Sequence, residues 1–191
     1  DPRIVEKAAK MKRVSYEEML ELAGLGAKVL QVRSVEMAMR FRMPVQVLST
    51  FANEIGSDLP GTLVSDGVNN MEDNVVTGIA HTRDEAQITV VHIADKPGVA
   101  ASIFVPLARA GINVDMIVQT ASNDKTTDLS FTVSKADFDR AMKVLQDEEK
   151  KIGYKKLLSH KDVAKISLVG MGMRSHAGVA ALMFETLADK G

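Results

Sequence analysis

The sequence of 191 residues has no cysteine and no tryptophan, and aromatic residues make up only 4% of it. The lack of cysteine excludes disulfides and thiolate metal sites and is typical of proteins from a reducing cytoplasm. No apolar run reaches the roughly 18 residues that a membrane-spanning helix needs. The formal net charge is −1, from 24 basic and 25 acidic side chains. We therefore predict a cytoplasmic protein with no nucleic-acid and no membrane partner.

The chain contains an internal repeat. Residues 86–111 and 164–191 both read as a strand, a glycine-containing loop and an apolar helix that ends at glycine. Gly98 aligns with Gly178, and the second copy carries two extra residues in its loop. A duplicated strand–loop–helix is one supersecondary unit used twice. Because the first copy continues for about fifty residues and the second stops, we expect a fragment whose second unit is only half present.

The first third of the chain has a different pattern. Ser15 and Glu18 form a capping-box signature that predicts the start of a helix. Ser34 is expected to open a second helix, and short strands are predicted at 45–48 and 62–64. The polar segment 65–74, rich in glycine and asparagine, predicts a domain boundary.

Residues 75–160 carry the pattern of a complete small domain. Pro97 stands where a helix is expected to begin, and Gly111 stands where it should end. A strand at 75–80 and a turn at 83–85 lead into the main elements, which are strands at 88–93, 113–120, 129–133 and 154–158 and helices at 97–111 and 135–150. The order β-α-β-β-α-β predicts an α+β fold of the ferredoxin-like type.

Candidate ligand-binding residues converge on this domain. Segment 95–100 leads from a strand into a helix, where amide N–H groups and the helix dipole favour a carboxylate or a phosphate. Asn113, Asp115 and Gln119 lie two and four residues apart on one predicted strand and are expected on one face. Asp115 there offers an acceptor for an ammonium. The pattern favours a free amino acid bound between such domains, although an ordinary turn and a solvated strand face remain alternatives.

Two other functions fit this order of elements less well. RNA-binding domains of the same topology stack bases on aromatic side chains of their central strands. The corresponding strands here contain only Phe131, which alternation points inward. A metal site is not indicated, because the four histidines are scattered without ligand spacing.

Several motifs resemble the paired ACT regulatory domains of bacterial aspartate kinase. These motifs are DKPGVAA, AGINVDMIVQ, TTDLSFTV and SLVGMGMRSHAGVAA. The first third of the chain, including SYEEMLELAGLGAKVLQVRSVEMA, is similar to the end of the amino-acid-kinase domain of the same enzyme. The resemblance implies that residues 1–74 end the kinase domain, residues 75–160 form a first ACT domain and residues 161–191 begin a second.

The resemblance also implies a function. Enzymes of this family phosphorylate the side-chain carboxylate of aspartate with ATP and Mg²⁺, and their ACT domains bind lysine, threonine or both and lower the activity. Arg3 and Lys28 match positions that contact ATP. The effector-binding residues carried over by position are Asp95, Lys96, Pro97, Gly98, Val99, Ala100, Asn113, Val114, Asp115, Gln119 and Ser122.

The partners follow from the same resemblance. We expect lysine or threonine as effectors, the remainder of the kinase as a partner, and a homodimer formed through ACT domains. We expect the fragment to be catalytically inactive by itself and to bind no cofactor or metal, because it lacks the upstream segment that grips aspartate and the phosphates. A separate regulatory subunit without catalytic residues, or another ACT-type amino-acid-binding module, is the alternative.

Overall fold

The computed structural model describes residues 5–50, 61–66, 75–122, 124–174 and 176–191. These residues belong to two compact units. The first consists of Asp1–His81 with Ile166–Gly191, and the second of Thr82–Lys165. Most of the predicted boundary segment 65–74 lies outside the described residues, so the three-part domain assignment stays a prediction. Within the described ranges, no helix is long and apolar enough to cross a membrane.

The elements are numbered in chain order. The strands are β1 (Arg13–Val14), β2 (Val45–Val47), β3 (Thr62–Val64), β4 (Gly78–Ala94), β5 (Asp115–Ala121), β6 (Thr126–Ser134) and β7 (Lys156–Val169). The helices are α1 (Tyr16–Gly24), α2 (Val32–Arg40), α3 (Val99–Arg109), α4 (Phe138–Asp147), α5 (Glu149–Ile152) and α6 (Val179–Ala188), with a 3-10 helix over Met171–Arg174.

The first unit contains the sheet β1-β3-β2, in which β3 pairs parallel with β1 and antiparallel with β2. The predicted capping box at the start of α1 is confirmed. Ser15 Oγ accepts the amide N–H of Glu18 at 3.2 Å, and Glu18 Oε2 accepts the amide N–H of Ser15 at 3.4 Å. The hydroxyl of Thr77 also donates to Glu18 Oε1 at 2.5 Å. This buried carboxylate therefore has hydrogen-bond donors on both oxygens.

The predicted start of the second helix is wrong. Helix α2 begins at Val32 with Gln31 as its N-cap, two residues before the expected start. The carbonyl of Gln31 accepts the amide N–H groups of Ser34 and Val35, so the backbone closes the first turn without a side-chain cap. Ser34 lies exposed inside that turn.

The second unit has the predicted ferredoxin-like topology. Its sheet has the order β5-β6-β4-β7, and both β4 and β5 run antiparallel to β6. Apolar side chains of β4, β6, α3 and α4 form one buried core, and the core residues exposed by 1% or less are Ala86, Ile88, Val90, Ile93, Ile103, Leu107, Leu129, Phe131, Val133, Ala141 and Leu145. Phe131 points inward as expected and packs edge-to-face on Phe104, with ring centroids 5.4 Å apart.

The predicted turn over 83–85 does not exist. Strand β4 is continuous from Gly78 to Ala94, and Glu85 pairs with Ser134 of β6. Charged residues, which alone suggest a turn, are tolerated at the start of this strand because their side chains lie away from the core. Cross-strand pairing therefore overrides the local composition.

The repeat is visible in the backbone. Gly98 precedes α3 with φ 90° and ψ −5°, and Gly178 precedes α6 with φ 97° and ψ −8°. The side chains of the two helices differ in exposure. Leu107 is fully buried in the second unit, whereas the aligned Leu187 is 41% exposed and Phe184 is 67% exposed. The two copies thus share their turn geometry, and only α3 buries its apolar stripe within the described residues.

The left-handed glycine makes a stability prediction. Gly98→Ala should lower the free energy of unfolding by about 1–2 kcal/mol, because a Cβ is disfavoured at positive φ. Open space surrounds this position, so the cost is conformational rather than steric. Urea unfolding followed by circular dichroism measures the change.

Gly24→Ala is the matched control. Gly24 ends helix α1, also has no atom within 4 Å of an added Cβ, and its φ is not positive. Alanine there should stabilise the protein by up to about 1 kcal/mol. Equal effects of the two substitutions would contradict the conformational argument.

Candidate ligand-binding site

The segment Asp95–Ala100 forms a tight connection between β4 and α3. The amide N–H of Asp95 donates to the carbonyl of Lys125 at 2.9 Å, which ties the segment to the neighbouring hairpin. Helix α3 begins at Val99, so the expected start at Pro97 is two residues too early, because Gly98 has a left-handed conformation. Residues Asp95–Gly98 are exposed, whereas the side chain of Val99 is buried in the core. Val99 can therefore offer a ligand only its backbone.

A bulge that the sequence reasoning missed lies just before this segment. The register of β4 against β6 shifts between Val90 and Ile93, and His92 has φ 63°. The amide N–H of His92 donates to Asp128 Oδ1 at 2.8 Å, and its Nε2 lies 3.3 Å from Asp124 Oδ2. The signal of this bulge in the sequence is that the apolar residues change from even-numbered positions, at Ile88 and Val90, to an odd-numbered position at Ile93.

The expectation that Asn113, Asp115 and Gln119 share one strand face is wrong. Asn113 precedes the strand, which begins at Asp115. Asp115 pairs with Thr132 and Gln119 with Leu129, because β5 contains a second bulge between Asp115 and Val118. Paired residues share a face, and residues three apart on β6 point to opposite faces. Asp115 therefore lies on the face away from the core, and Gln119 lies on the other.

Only part of the predicted site comes together within one unit. Ser122 lies at the same end of the sheet as segment 95–98, since its amide N–H donates to the carbonyl of Thr126, which pairs with Ala94. Asp115 lies at the opposite end, because its partner Thr132 pairs with Gln87. Seven residues of extended strand separate these ends, which is about 23 Å. Val114 packs against the core and Asn113 is exposed beside Asp115.

The Asp115 carboxylate has a cationic partner from the same unit. Lys165 Nζ donates to Asp115 Oδ2 and lies 3.5 Å from Glu85 Oε1. The hydrogen bond from Lys165 holds the pKa of Asp115 below its usual range. Burial acts to lower the pKa of Lys165, but the hydrogen bond that it donates to Asp115 and the charges of Glu85 and Asp115 outweigh it, so this pKa is raised. Both groups are charged at neutral pH.

The residues that match ATP contacts stay predictions. Arg3 lies outside the described residues. Lys28 is exposed in the connection between α1 and α2, where it adopts φ 52°. Among the described residues, no group of three or more His, Asp or Glu side chains is placed to hold a metal ion.

The Asp115–Lys165 pair makes a pH prediction. A lowered carboxylate pKa stabilises the fold above the unfolded value of about 3.9, and this stability is lost as the pH falls through the folded pKa. A raised lysine pKa stabilises the fold below about 10.4, and this contribution is lost at higher pH. The unfolding free energies of the wild type and Asp115→Asn should therefore differ between about pH 5 and 9 and converge in acid.

The size of that difference should be below about 1 kcal/mol, because the Asp115 side chain is 59% exposed. Denaturant unfolding at several pH values measures it. Asp139→Asn is the control, since Asp139 pairs with Lys161 at 2.9 Å and both side chains are mostly exposed. A difference for Asp115→Asn that does not change with pH contradicts the ion pair.

A family model described as ACT domain matches residues 88–148 and 166–191. Aspartate kinase of Pseudomonas fluorescens is 47% identical over 191 residues, which are 100% of this chain and 45% of that protein. The chain thus spans less than half the length of the curated relatives that it matches.

Solved structures of aspartate kinases are also similar to this chain. The regulatory subunit of aspartate kinase from Thermus thermophilus, in its ligand-free form, is 39% identical with a TM-score of 0.56 over 61% of this chain and 76% of that chain. Aspartokinase III of E. coli, in complex with lysine and aspartate, is 26% identical with a TM-score of 0.67 over 89% of this chain and 36% of that chain. A strand–helix unit with a glycine N-cap occurs twice in this chain. The chain belongs to the aspartate kinase family.

Proposed function

We propose that this chain is the amino-acid-sensing regulatory part of an aspartate kinase. The whole enzyme would transfer a phosphoryl group from ATP, with Mg²⁺, to the side-chain carboxylate of aspartate in the cytoplasm. This chain would bind lysine, threonine or both and lower that activity. The glycine-capped helix start, present at Gly98 and again at Gly178, is the observation that carries the proposal, because it supplies a carboxylate site in each repeat.

The second half of the site requires a second copy of the unit. Segment 95–98 and Asp115 lie at opposite ends of one sheet, so a single unit cannot hold both charged groups of a small amino acid. Strand β5 is the edge of that sheet, and its Met116, Ile117 and Val118 are 49–55% exposed. A two-fold axis beside β5 pairs this strand antiparallel with the same strand of a second copy. The segment 95–98 of one copy would then lie at the same end of the joined sheet as Asp115 of the other.

The proposed contacts follow from charge. The amide N–H groups at the start of α3, with Ala100 in the first turn, would hold the α-carboxylate of the ligand. Asp115 of the second copy would accept the α-ammonium in a charge-assisted hydrogen bond. Asn113, Gln119 and Ser122 are proposed as neighbouring polar contacts, and Asp95, Lys96, Pro97, Val99 and Val114 as the backbone that shapes the site.

A regulatory role requires a ligand that binds one arrangement of the subunits better than another. A site shared between two copies meets this requirement, since any change in their relative arrangement changes the distance between its two halves. Catalysis is assigned to the rest of the enzyme. Phosphoryl transfer depends on cations gathered around the transferred group, and the resemblance places only Arg3 and Lys28 of the ATP contacts in this chain.

A separate regulatory subunit is the second candidate. The chain covers 76% of the Thermus thermophilus regulatory subunit, against 45% of the Pseudomonas fluorescens enzyme. Both candidates bind the same ligands through the same site. They differ in whether the catalytic part is on the same polypeptide, and the mass of the protein purified from its source decides between them.

Binding of amino acids tests the proposal. Calorimetry of the 191-residue chain with L-lysine and with L-threonine should show saturable heat for at least one of them, with a rise in the unfolding temperature. Asp115→Asn should weaken that binding about 10- to 100-fold, because it removes a charged acceptor. Asp139→Asn, an exposed carboxylate on α4, should leave the affinity unchanged. The proposal is rejected if millimolar ligand produces neither heat of binding nor a rise in the unfolding temperature.

A further inference from the structure

Lys165 crosses the open face of the second unit's sheet. It lies on β7 at one edge, and its partner Asp115 lies on β5 at the other edge, with β4 and β6 between them. The side chains of Lys165 and Asp115 together bridge the two strands between them, so the lysine side chain lies across the sheet. Its exposed fraction is only 10%, and that of Glu85 beside it is 13%.

The row of paired residues that reaches Asp115 contains a hydroxyl without a hydrogen-bond partner in the described part of the chain. Thr132 of β6 pairs with Gln87 on one side and with Asp115 on the other. Thr132 is 91% buried, and its Oγ1 has no hydrogen-bond partner among the residues that the structure describes. A buried hydroxyl without a partner costs free energy. The Lys165 ammonium donates to Asp115. The adjacent Thr132 Oγ1 stays without a hydrogen bond among the described residues.

Resting on the proposed function, we propose that Lys165 is an intrachain competitor for the ammonium group of the amino-acid ligand at Asp115. In the ligand-free chain, the Lys165 ammonium occupies the acceptor that the ligand needs. Ligand binding exchanges one ammonium for another at Asp115. The incoming group has three N–H donors, and it can reach Thr132 Oγ1 as well as the carboxylate.

The exchange leaves no uncompensated charge. Lys165 is already 3.5 Å from Glu85 Oε1, so it keeps a counter-charge when Asp115 is taken by the ligand. Without Glu85, displacement would leave a nearly buried cation unpaired, which is strongly unfavourable. The residue Lys165 thus sets the affinity for the ligand and selects ligands that carry an ammonium and can also bind Thr132.

Two substitutions of Lys165 should change the affinity in opposite directions. Lys165→Met keeps the length of the stem and removes the competing charge, so the affinity for L-lysine or L-threonine should rise about fivefold. Lys165→Arg strengthens the competitor through bidentate pairing with Asp115, so the affinity should fall. Thr132→Val should weaken binding because it removes the Thr132 hydroxyl, although it leaves the Asp115 charge in place. Calorimetry on the full 191-residue chain measures all three.

Lys161→Met is the matched control. Lys161 lies on the same strand, pairs with Asp139 and stacks on the ring of Phe138 at 4.4 Å. Its substitution should leave the affinity unchanged. A separate readout needs no ligand, since the Asp115 carboxyl signal followed by NMR should titrate at higher pH in Lys165→Met and at unchanged pH in Lys161→Met.

The outcomes separate this proposal from the proposed function. If the wild type binds neither amino acid, the proposed function fails. If the wild type binds and Lys165→Met binds equally or more weakly, the competitor role is wrong and the sensor role stands. An Asp115 titration that is the same in both lysine variants also overturns it. Should Lys165→Met not fold, Lys165→Arg decides, because unchanged or tighter binding by this variant rejects the competition.

Discussion

The antiparallel pairing of β4 with β6 is the constraint on which the second unit depends. It aligns Ile88 with Phe131 and Val90 with Leu129, so that both strands present their apolar side chains to α3 and α4. Burial of this aliphatic surface, at about 25 cal/mol per Å², is the main source of its stability. The same register decides which residues lie at each end of the sheet. It thereby fixes segment 95–98 and Asp115 at positions that one copy cannot bring together.

Two consequences of that register shape the proposed function. The carboxylate and the ammonium of the proposed ligand would be held by different copies, which would link binding to assembly through the exposed edge strand β5. In the ligand-free chain, the Asp115 carboxylate on the open face already forms an ion pair with Lys165. In the proposed exchange, the ammonium of the ligand replaces Lys165 at this carboxylate. Such a site trades affinity for selectivity, since only a ligand that makes an additional contact gains from replacing Lys165.

Local chemistry made part of this structure predictable from sequence. The capping box at Ser15 and the helix stop at Gly111 depend on neighbouring residues only, and both are found as expected. The features that were missed depend on distant partners. A bulge adds one residue and reverses every later side chain, so Asp115 and Gln119 lie on two faces, whereas unbroken alternation predicts one. Lys165 is fifty residues from Asp115 in sequence, and no local pattern connects them.

Segment 95–98 of one copy and Asp115 of another are proposed to form one site. Mixing two variants that bind weakly tests this directly. Gly98→Asp places a negative charge at the carboxylate site, and Asp115→Asn removes the charged ammonium acceptor, so each homodimer should bind lysine or threonine at least about tenfold more weakly than the wild type. After the two are unfolded together and refolded, half of the dimers are mixed and each has one intact site, which restores about a quarter of the sites. Calorimetry that shows this restoration supports the account, and a mixture that binds as weakly as its components contradicts it.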